Sequence, residues 1–368
     1  MKKVRVLITD DSNLMRKLLS NIVSKDERLE VVGTAENGKD CIEKVKALQP
    51  DVVTLDMNMP VMDGLTCLKE AKAQKLDPAF LVVSSLAQKD AQITIDAINE
   101  GALDYIPKPS QMLGIGALEK EINSKILNVY DSRQRTLDAA AAKAAPARAA
   151  RGIPGGSRAA AAAAATATAT KPRVVDTKPG KPKLTIFGGS SGSMRIVQKI
   201  APHISPKFTG VVVFVLHLPP FFTSQLAVAL KKVCKIPVEE ALDGTPVNLR
   251  KIYVAPGGNK NLVLGKNPTG KGVVFRLIEN DLMLPHTPSI DVFMESASKI
   301  FKDACRGVLI SGIGTDGIEG LRAIRSNRGE TYVQDKTSAV ANQLPLAALQ
   351  AGVATESLDI PELLDLMN

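Results

Sequence analysis

Residues 52–64 read VVTLDMNMPVMDG, and this segment determines how the first third of the chain is built. Its first four residues are apolar or β-branched, which predicts a strand buried on both faces. Asp56 closes the strand, a short loop containing Pro60 follows, and a helical pattern starts at Gly64. A buried strand that leads through a loop into a helix is the repeating unit of a parallel sheet covered by helices.

The same alternation runs through residues 1–130 and predicts a flavodoxin-like domain with a five-stranded parallel sheet. The predicted strands are Val4–Thr9, Leu29–Ala35, Val52–Asp56, Leu81–Ser84 and Asp104–Ile106. The predicted helices are Ser12–Ser24, Gly38–Gln49, Gly64–Lys75 and Asp90–Glu100.

Residues 131–182 have a different composition, dominated by Ala, Thr, Pro, Gly and basic residues. Because so few large apolar side chains cannot offset the entropic cost of ordering a backbone, we expect a disordered linker. The segment from Asp131 to Lys183 holds eleven Lys/Arg against three Asp/Glu, which is nearly all of the net charge of +9. The flanking regions are close to neutral, which argues against a nucleic-acid-binding face on either one.

After the linker, residues 183–368 return to alternating strands and helices and predict a second doubly wound α/β domain. The predicted strands are Leu184–Phe187, Val211–Leu216, Ile252–Ala255, Val274–Ile278, Val308–Ser311 and Thr331–Gln334. The predicted helices are Met194–Ile200, Phe221–Lys232, Ser289–Phe301, Gly317–Ser326 and Pro345–Gln350.

Composition excludes several classes of protein. The longest apolar runs are far shorter than a membrane span, and the N-terminal residues lack the long hydrophobic region of a signal peptide, so we expect a cytoplasmic protein without membrane insertion. The four cysteines are widely spaced, which predicts neither a disulfide nor a zinc site. They are Cys41, Cys67, Cys234 and Cys305.

Polar residues follow four strands of the first predicted sheet. Asp10 and Asp11 follow the first strand, and Lys108 follows the fifth strand. Asp56 is the last residue of the third strand, and Ser84 is the last residue of the fourth. These strand ends meet at one edge, where three carboxylates would repel one another unless they shared a cation such as Mg²⁺. The pattern predicts a phosphoryl-acceptor site with Asp56 as nucleophile and Lys108 neutralising the phosphoryl group. The alternative is that these acids only cap helices.

Three residues of the second domain could form a nucleophilic triad. Ser190 lies in a small-residue turn between a strand and a helix, His217 ends the strand Val211–Leu216, and Asp316 lies in a glycine-rich turn before a helix. A histidine oriented by a carboxylate is the base that a weakly nucleophilic serine needs. Each residue alone is more often structural, so their common position at the carboxyl edge of one sheet carries the prediction.

The first domain resembles response-regulator receiver domains along its whole length. The match includes Asp56–Gly64 and the Lys108-Pro109 pair. This resemblance implies that Asn58 supplies a backbone carbonyl to Mg²⁺, and that Ser84 and Tyr105 are the hydroxyl and aromatic switch residues.

With the order Ser, His, Asp after a receiver domain, the chain resembles the bacterial chemotaxis protein-glutamate methylesterases over essentially its entire length. Further segments share this resemblance, namely Ala255–Gly258, His286–Asp291, Gln334-Asp335 and Ala341–Pro345. The sequence departs from the usual family pattern at Ser191, Gly192, Ser193, Leu216, Leu218, Lys260 and Ile313.

The resemblance implies hydrolysis of glutamate methyl esters on chemoreceptor cytoplasmic domains, with release of methanol and with glutamine deamidation as a second activity. Ser190 would attack the ester, His217 would move the proton and Asp316 would orient His217, with no cofactor for the esterase. A chemotaxis histidine kinase would be the phosphodonor, and the unphosphorylated receiver would cover Ser190.

Two other functions compete with this one. In the first, the second domain is a non-enzymatic binding module of a response regulator. In the second, the output domain binds DNA, which the sequence disfavours because no helix-turn-helix pattern follows the linker.

Overall fold

The computed structural model of the chain describes residues 2–85, 87–108, 115–144, 184–267, 272–280 and 284–368. The first domain has five strands and five helices within these residues. In chain order they are β1 (Val4–Thr9), α1 (Asn13–Ser24), β2 (Leu29–Ala35), α2 (Gly38–Leu48), β3 (Val52–Asp56), α3 (Gly64–Ala73), β4 (Ala79–Ser84), α4 (Gln88–Glu100), β5 (Asp104–Pro107) and α5 (Ile115–Ala144).

The five strands form one parallel sheet in the order β2-β1-β3-β4-β5. Strands β3 and β4 are buried along their whole length because helices cover both faces. The predicted flavodoxin-like sheet is therefore confirmed. This order places the carboxyl ends of β1, β3, β4 and β5 along one edge.

The second domain is built around a seven-stranded parallel sheet in the order β14-β13-β12-β6-β7-β9-β8, which confirms the predicted doubly wound fold. Its elements are β6 (Leu184–Gly189), α6 (Ser193–Ile200), β7 (Val211–Leu216), α7 (Pro220–Val233), β8 (Val238–Glu240), β9 (Lys251–Val254), β10 (Lys260–Lys266), β11 (Val273–Glu279), α8 (Ile290–Phe301), β12 (Cys305–Leu309), α9 (Ile318–Ser326), β13 (Glu330–Gln334), α10 (Gln343–Gln350), β14 (Glu356–Leu358) and α11 (Ile360–Asp365), with short 3₁₀ helices at Ala201–His203 and Lys302–Ala304.

One predicted strand lies outside the main sheet. Residues Val274–Ile278 are extended as predicted, but as part of β11 they pair antiparallel with β10 in a separate hairpin. Leu262 and Leu264 of β10 and Phe275 of β11 are buried in the apolar cluster that includes α8. The hairpin therefore covers α8 and leaves the parallel sheet to the other strands.

The predicted start of the disordered linker at residue 131 is wrong. Helix α5 continues to Ala144, through a segment rich in alanine, the residue with the highest helix propensity. This extension is also held by a tertiary contact, because Arg135 Nη2 donates to the carbonyls of Ala339 and Val340 in the second domain. The remainder of the predicted linker, 145–182, lies outside the described residues. Neither α5 nor any other helix in the described ranges has the length and apolar character to cross a membrane.

The two domains contact each other along a surface that we call the domain interface, formed by α4, β5 and α5 of the first domain and by α6, α7 and residues 339–343 of the second. Tyr105 of β5 stacks on Phe222 of α7, with ring centroids 4.8 Å apart. Arg195 of α6 donates to the carbonyls of Gly101 and Ala102 at 2.8 and 2.9 Å. The first domain therefore lies directly against the elements that flank Ser190.

Candidate active site and phosphoryl-acceptor site

The turn that carries Ser190 is tightly constrained. The turn follows β6, and α6 begins at Ser193, only three residues after Ser190. Gly192 has a φ of +74°, and a Cβ at this position would lie 2.4 Å from the Cβ of Val340, so only glycine fits. The Ser190 N–H donates to the carbonyl of Ser311 at 3.0 Å, which fixes the turn against the loop after β12.

His217 and Asp316 form a well-supported pair beside this turn. His217 Nε2 lies 2.8 Å from Asp316 Oδ2, and both side chains are largely buried. Asp316 also accepts hydrogen bonds from the N–H groups of Ile290 and Asp291, at 2.7 and 3.0 Å, and from Ser289 Oγ at 2.9 Å. Burial acts to raise the pKa of Asp316, but the hydrogen bonds from His217 and these N–H groups bring the pKa below its usual value. Asp316 is therefore an ionised partner for His217.

The Ser190 hydroxyl bonds to the backbone of Ile313. Its Oγ accepts from the Ile313 N–H at 2.9 Å and donates to the Ile313 carbonyl at 3.3 Å. No hydrogen bond joins the described side chains of Ser190 and His217. Because Nε2 faces Asp316, Nδ1 is the ring nitrogen of His217 that remains for another partner.

His286 lies against His217, and the sequence analysis assigned no role to its side chain. The two imidazole rings stack with centroids 4.5 Å apart and planes 18° apart. Burial and the neighbouring His217 ring lower the pKa of His286. A neutral His286 packs on the face of His217 without adding a second positive charge when His217 takes a proton.

Asp291 supports the loop that carries Asp316. Its Oδ1 accepts from the N–H groups of Gly317 and Gly320, at 2.8 and 2.6 Å, at the start of α9. Burial and the nearby Asp316 carboxylate raise the pKa of Asp291 to about 7. The folded chain therefore binds a proton at Asp291 more tightly than an unfolded chain does.

This pKa predicts a pH-dependent effect of the Asp291→Asn change. A raised pKa gives stability that is complete below the unfolded-state value of about 4 and is lost as pH rises towards 7. Asparagine keeps the accepting oxygen and carries no charge, so Asp291→Asn should raise Tm by roughly 5 °C at pH 8 and by less at pH 5. Thermal unfolding at both pH values checks this, with Asp365→Asn at an exposed carboxylate as control. An equal change at both pH values would contradict it.

The acidic residues predicted at the edge of the first sheet come together as expected. One carboxylate oxygen from each of Asp10, Asp11 and Asp56 lies within 4.8 Å of the others. Lys108 Nζ is 2.8 Å from Asp56 Oδ2 and 3.3 Å from Asp10 Oδ2. Apart from this ion pairing, Asp10 Oδ2 and Asp56 Oδ2 are buried without a hydrogen-bond partner. Burial raises the pKa of Asp56. An oxygen-rich, under-compensated cluster of this kind fits a hard divalent cation such as Mg²⁺.

The other predicted receiver residues are Asn58, Ser84 and Tyr105, and the first two follow or close strands at this edge of the sheet. Asn58 follows β3 in the same loop, and its side-chain amide donates to Asp90 Oδ1 at 3.0 Å. Ser84 at the end of β4 is buried, and its Oγ accepts from Thr94 Oγ1 at 2.7 Å. Tyr105 lies away from the cluster, in the domain interface. The structure thus places one predicted switch residue in direct contact with the second domain.

Comparison with known proteins assigns both domains. The family described as CheB methylesterase matches residues 185–367, and the response regulator receiver domain matches residues 6–117. A Vibrio parahaemolyticus protein named protein-glutamate methylesterase/protein-glutamine glutaminase is 34% identical over 99% of this chain and 98% of its own. A Vibrio cholerae protein of the same name, numbered 1, is 33% identical over the same shares. The chain belongs to the CheB methylesterase family.

Solved structures of this family include the Thermotoga maritima CheB methylesterase catalytic domain. That structure is 29% identical in sequence and covers 51% of this chain and 100% of its own, with a TM-score of 0.48.

In this CheB family member, side-chain contacts that no sequence motif indicated join the two sites. Ser191, next to Ser190, donates its hydroxyl to the carboxylate of Asp104 at the start of β5. Lys125 of α5 donates to the Tyr105 carbonyl at 2.7 Å and lies 3.8 Å from Asp104 Oδ2. Asp104 and Lys125 are charged residues that become buried at this interface, and no local sequence pattern records such a pairing.

Proposed function

We propose that this chain is a phosphorylation-controlled methylesterase that hydrolyses glutamate methyl esters on chemoreceptor cytoplasmic domains and also deamidates glutamine. The observation that carries the proposal is the His217–Asp316 pair beside the strand-to-helix turn of Ser190. A domain kept only for binding would have no use for a buried carboxylate that accepts hydrogen bonds on both oxygens and bonds a histidine. This pair therefore disfavours the binding-module alternative.

The geometry suggests the following order of steps. The Ser190 hydroxyl leaves the Ile313 carbonyl and passes its proton to His217 as Oγ attacks the ester carbonyl. The Ile313 N–H, which bonds Ser190 Oγ here, is then free to donate to the oxyanion. His217 returns the proton to the leaving methoxide, which departs as methanol, or to the leaving amide nitrogen of glutamine, which departs as ammonia. Water then releases the glutamate carboxylate from Ser190.

Asp316 keeps the His217 ring in one orientation and stabilises its positive charge during both steps. Its own position depends on Ser289 and on the N–H groups at the start of α8. Mass spectrometry of methylated receptor fragments incubated with the protein tests substrate and reaction together. Each hydrolysed ester loses one methylene mass, and an unchanged spectrum would refute the proposal.

The receiver site would take a phosphoryl group on Asp56 from a chemotaxis histidine kinase. Asp10, Asp11, Asp56 and the Asn58 carbonyl would hold Mg²⁺, which supplies charge neutralisation for the transferred group when bound. Lys108, already paired with Asp56, would bond the phosphoryl oxygens.

The domain interface couples this site to the esterase. Tyr105 packs on Phe222, five residues beyond His217, and Asp104 bonds Ser191, one residue beyond Ser190. We infer that the unphosphorylated receiver restrains the esterase by holding this edge. Phosphorylation of Asp56 would draw Ser84 inward and allow Tyr105 to follow, which weakens the stack on Phe222.

This coupling predicts that a small phosphodonor with Mg²⁺ raises the esterase activity of the full chain by about 5–150-fold, the range for a coupling free energy of about 1–3 kcal/mol. Asp56→Asn should abolish the increase and leave basal activity unchanged, because the acceptor oxygen is lost while the interface stays intact. Initial rates of methanol release with and without the phosphodonor measure both. A response that survives in Asp56→Asn would place the control elsewhere.

A further inference from the structure

Ser311 occupies a central position between two loops near the nucleophile. Ser311 lies in the loop that follows β12, and its side chain is fully buried. Its Oγ donates to the Ser191 carbonyl at 2.7 Å and accepts from the Ala341 N–H at 2.9 Å. One hydroxyl therefore joins the nucleophile turn, residues 190–192, to the loop 339–341.

The backbone beside this hydroxyl fixes the nucleophile itself. The Ser311 carbonyl accepts from the Ser190 N–H at 3.0 Å, and the Ile313 N–H donates to Ser190 Oγ at 2.9 Å. The Gly312 N–H donates to the Ala341 carbonyl at 2.8 Å. Gly192 packs so closely on Ser311 that a Cβ on Gly192 would lie 2.8 Å from Ser311 Oγ. A shift of the Ser190 turn, of Ser311 or of the loop 339–341 must therefore move the other two.

The receiver binds both of the segments that Ser311 joins. On one side Asp104 accepts the hydroxyl of Ser191. On the other side Arg135 of α5 donates to the carbonyls of Ala339 and Val340 at 2.9 and 3.0 Å. The Val340 side chain is buried in the same apolar cluster as the inward face of α5, which includes Ile126.

We propose that Ser311 is a positioning residue: its hydroxyl holds the Ser190 turn in its reactive place and transmits the receiver's two contacts to it. The proposal rests on the proposed function. It goes further by naming one side-chain hydroxyl that joins the two receiver-bound segments beside the nucleophile. The hydrogen bonds of Ser311 within the described residues all go to the second domain.

The test is to measure kcat and KM for a receptor methyl ester with the full-length chain, with and without Mg²⁺ and a small phosphodonor. Ser311→Ala should lower kcat by about 10–100-fold with little change in KM, because misplacement of a nucleophile by a fraction of an ångström slows only the chemical step. It should also reduce the stimulation by phosphodonor, because the two receiver-bound segments are no longer joined. Ser311→Cys, whose thiol is a weaker hydrogen-bonding group of similar shape, should retain more of kcat and of the stimulation than Ser311→Ala does.

Two further variants keep the test decisive. Ser326→Ala removes an exposed hydroxyl that bonds the Arg322 carbonyl within α9, so its kcat should match wild type. If Ser311→Ala does not fold, Ser311→Cys replaces it, and its kcat should still lie well below that of wild type. Wild-type kcat and stimulation in a folded Ser311→Ala or Ser311→Cys variant would overturn the inference. An inactive wild type would instead refute the proposed function.

Discussion

Replacing Ser190 with alanine should lower kcat for methyl-ester hydrolysis on the order of 10⁴-fold or more, because the attacking oxygen is lost. The fold should survive the change. In Ser190→Ala the backbone N–H of this position still reaches the Ser311 carbonyl, and the variant lacks only the two hydrogen bonds that Oγ makes with the Ile313 backbone. Initial rates of methanol release, together with circular dichroism and thermal unfolding, measure activity and folding separately.

A matched control for this variant is Ser224→Ala on α7, where the hydroxyl bonds only the Phe221 carbonyl of its own helix turn. Ser224→Ala should retain wild-type kcat. Covalent labelling by a fluorophosphonate offers a second measurement, since it requires an activated serine. Turnover near the wild-type rate in Ser190→Ala, or equal labelling of both variants, would rule out Ser190 as nucleophile.

Asp316→Asn should lower kcat by about 10³–10⁴-fold, which leaves more activity than Ser190→Ala does. The carboxylate accepts hydrogen bonds on both oxygens, from His217, Ile290, Asp291 and Ser289. An amide can accept on one side only, so its NH₂ group must face a donor or force His217 into the wrong tautomer. The imidazolium formed during catalysis also loses its compensating charge.

The measurement is kcat against pH for wild type and Asp316→Asn, with Asp365→Asn as the control for a carboxylate that contacts neither domain's site. The control should retain wild-type kcat. We expect Asp316→Asn to regain part of its activity at high pH, where the base no longer depends on the carboxylate. A loss below about tenfold at neutral pH would mean that Asp316 only supports the start of α8.

Much of the fold could be predicted because long β-branched runs leave few alternatives. Strands β1, β2, β3 and β7 were predicted with the bounds that the structure shows. Three strands were missed, namely β8, β10 and β14. Strands β8 and β14 have three residues each, too few to establish any periodicity, and β10 pairs with β11 in the hairpin outside the main sheet. Helix α5 was missed although Ile122, Ile126 and Val129 repeat at helical spacing and are all buried. Its alanine-rich end has the composition of a linker, and composition carries no information about tertiary contacts.

The candidate sites were predictable as far as each depends on strand ends. Asp10, Asp56, Ser190 and His217 lie where parallel strands finish, and sheet topology brings such positions together without further information. Sequence could not show that His217 pairs through Nε2 and leaves Nδ1 free, since ring orientation is set by packing. It also could not show that the Ser190 hydroxyl bonds to Ile313, because that depends on one rotamer in a crowded turn.

The domain interface was the least predictable part. Arg135, Asp104 and Arg195 are charged residues, which usually lie on solvated surfaces, and each becomes partly or fully buried through contacts with residues more than 80 positions away. No local pattern records such pairings. The sequence did predict that the receiver would lie against the edge of Ser190, but that expectation came from the family resemblance and from the joined architecture.

Helix α5 extends from the receiver to the second domain, so a small tilt of the helix moves its contact there by a larger distance. Its first described residue is Ile115, and Arg135, 20 residues along, bonds the loop 339–340. At 1.5 Å per residue this stretch is about 30 Å long, so a tilt of about 5° at its base would displace Arg135 by roughly 2.6 Å. A hydrogen bond of 2.9 Å does not survive such a displacement. Because Ile122, Ile126 and Val129 pack α5 into the receiver core, a rearrangement of that core that tilts the helix by this small angle is enough to release the loop 339–340.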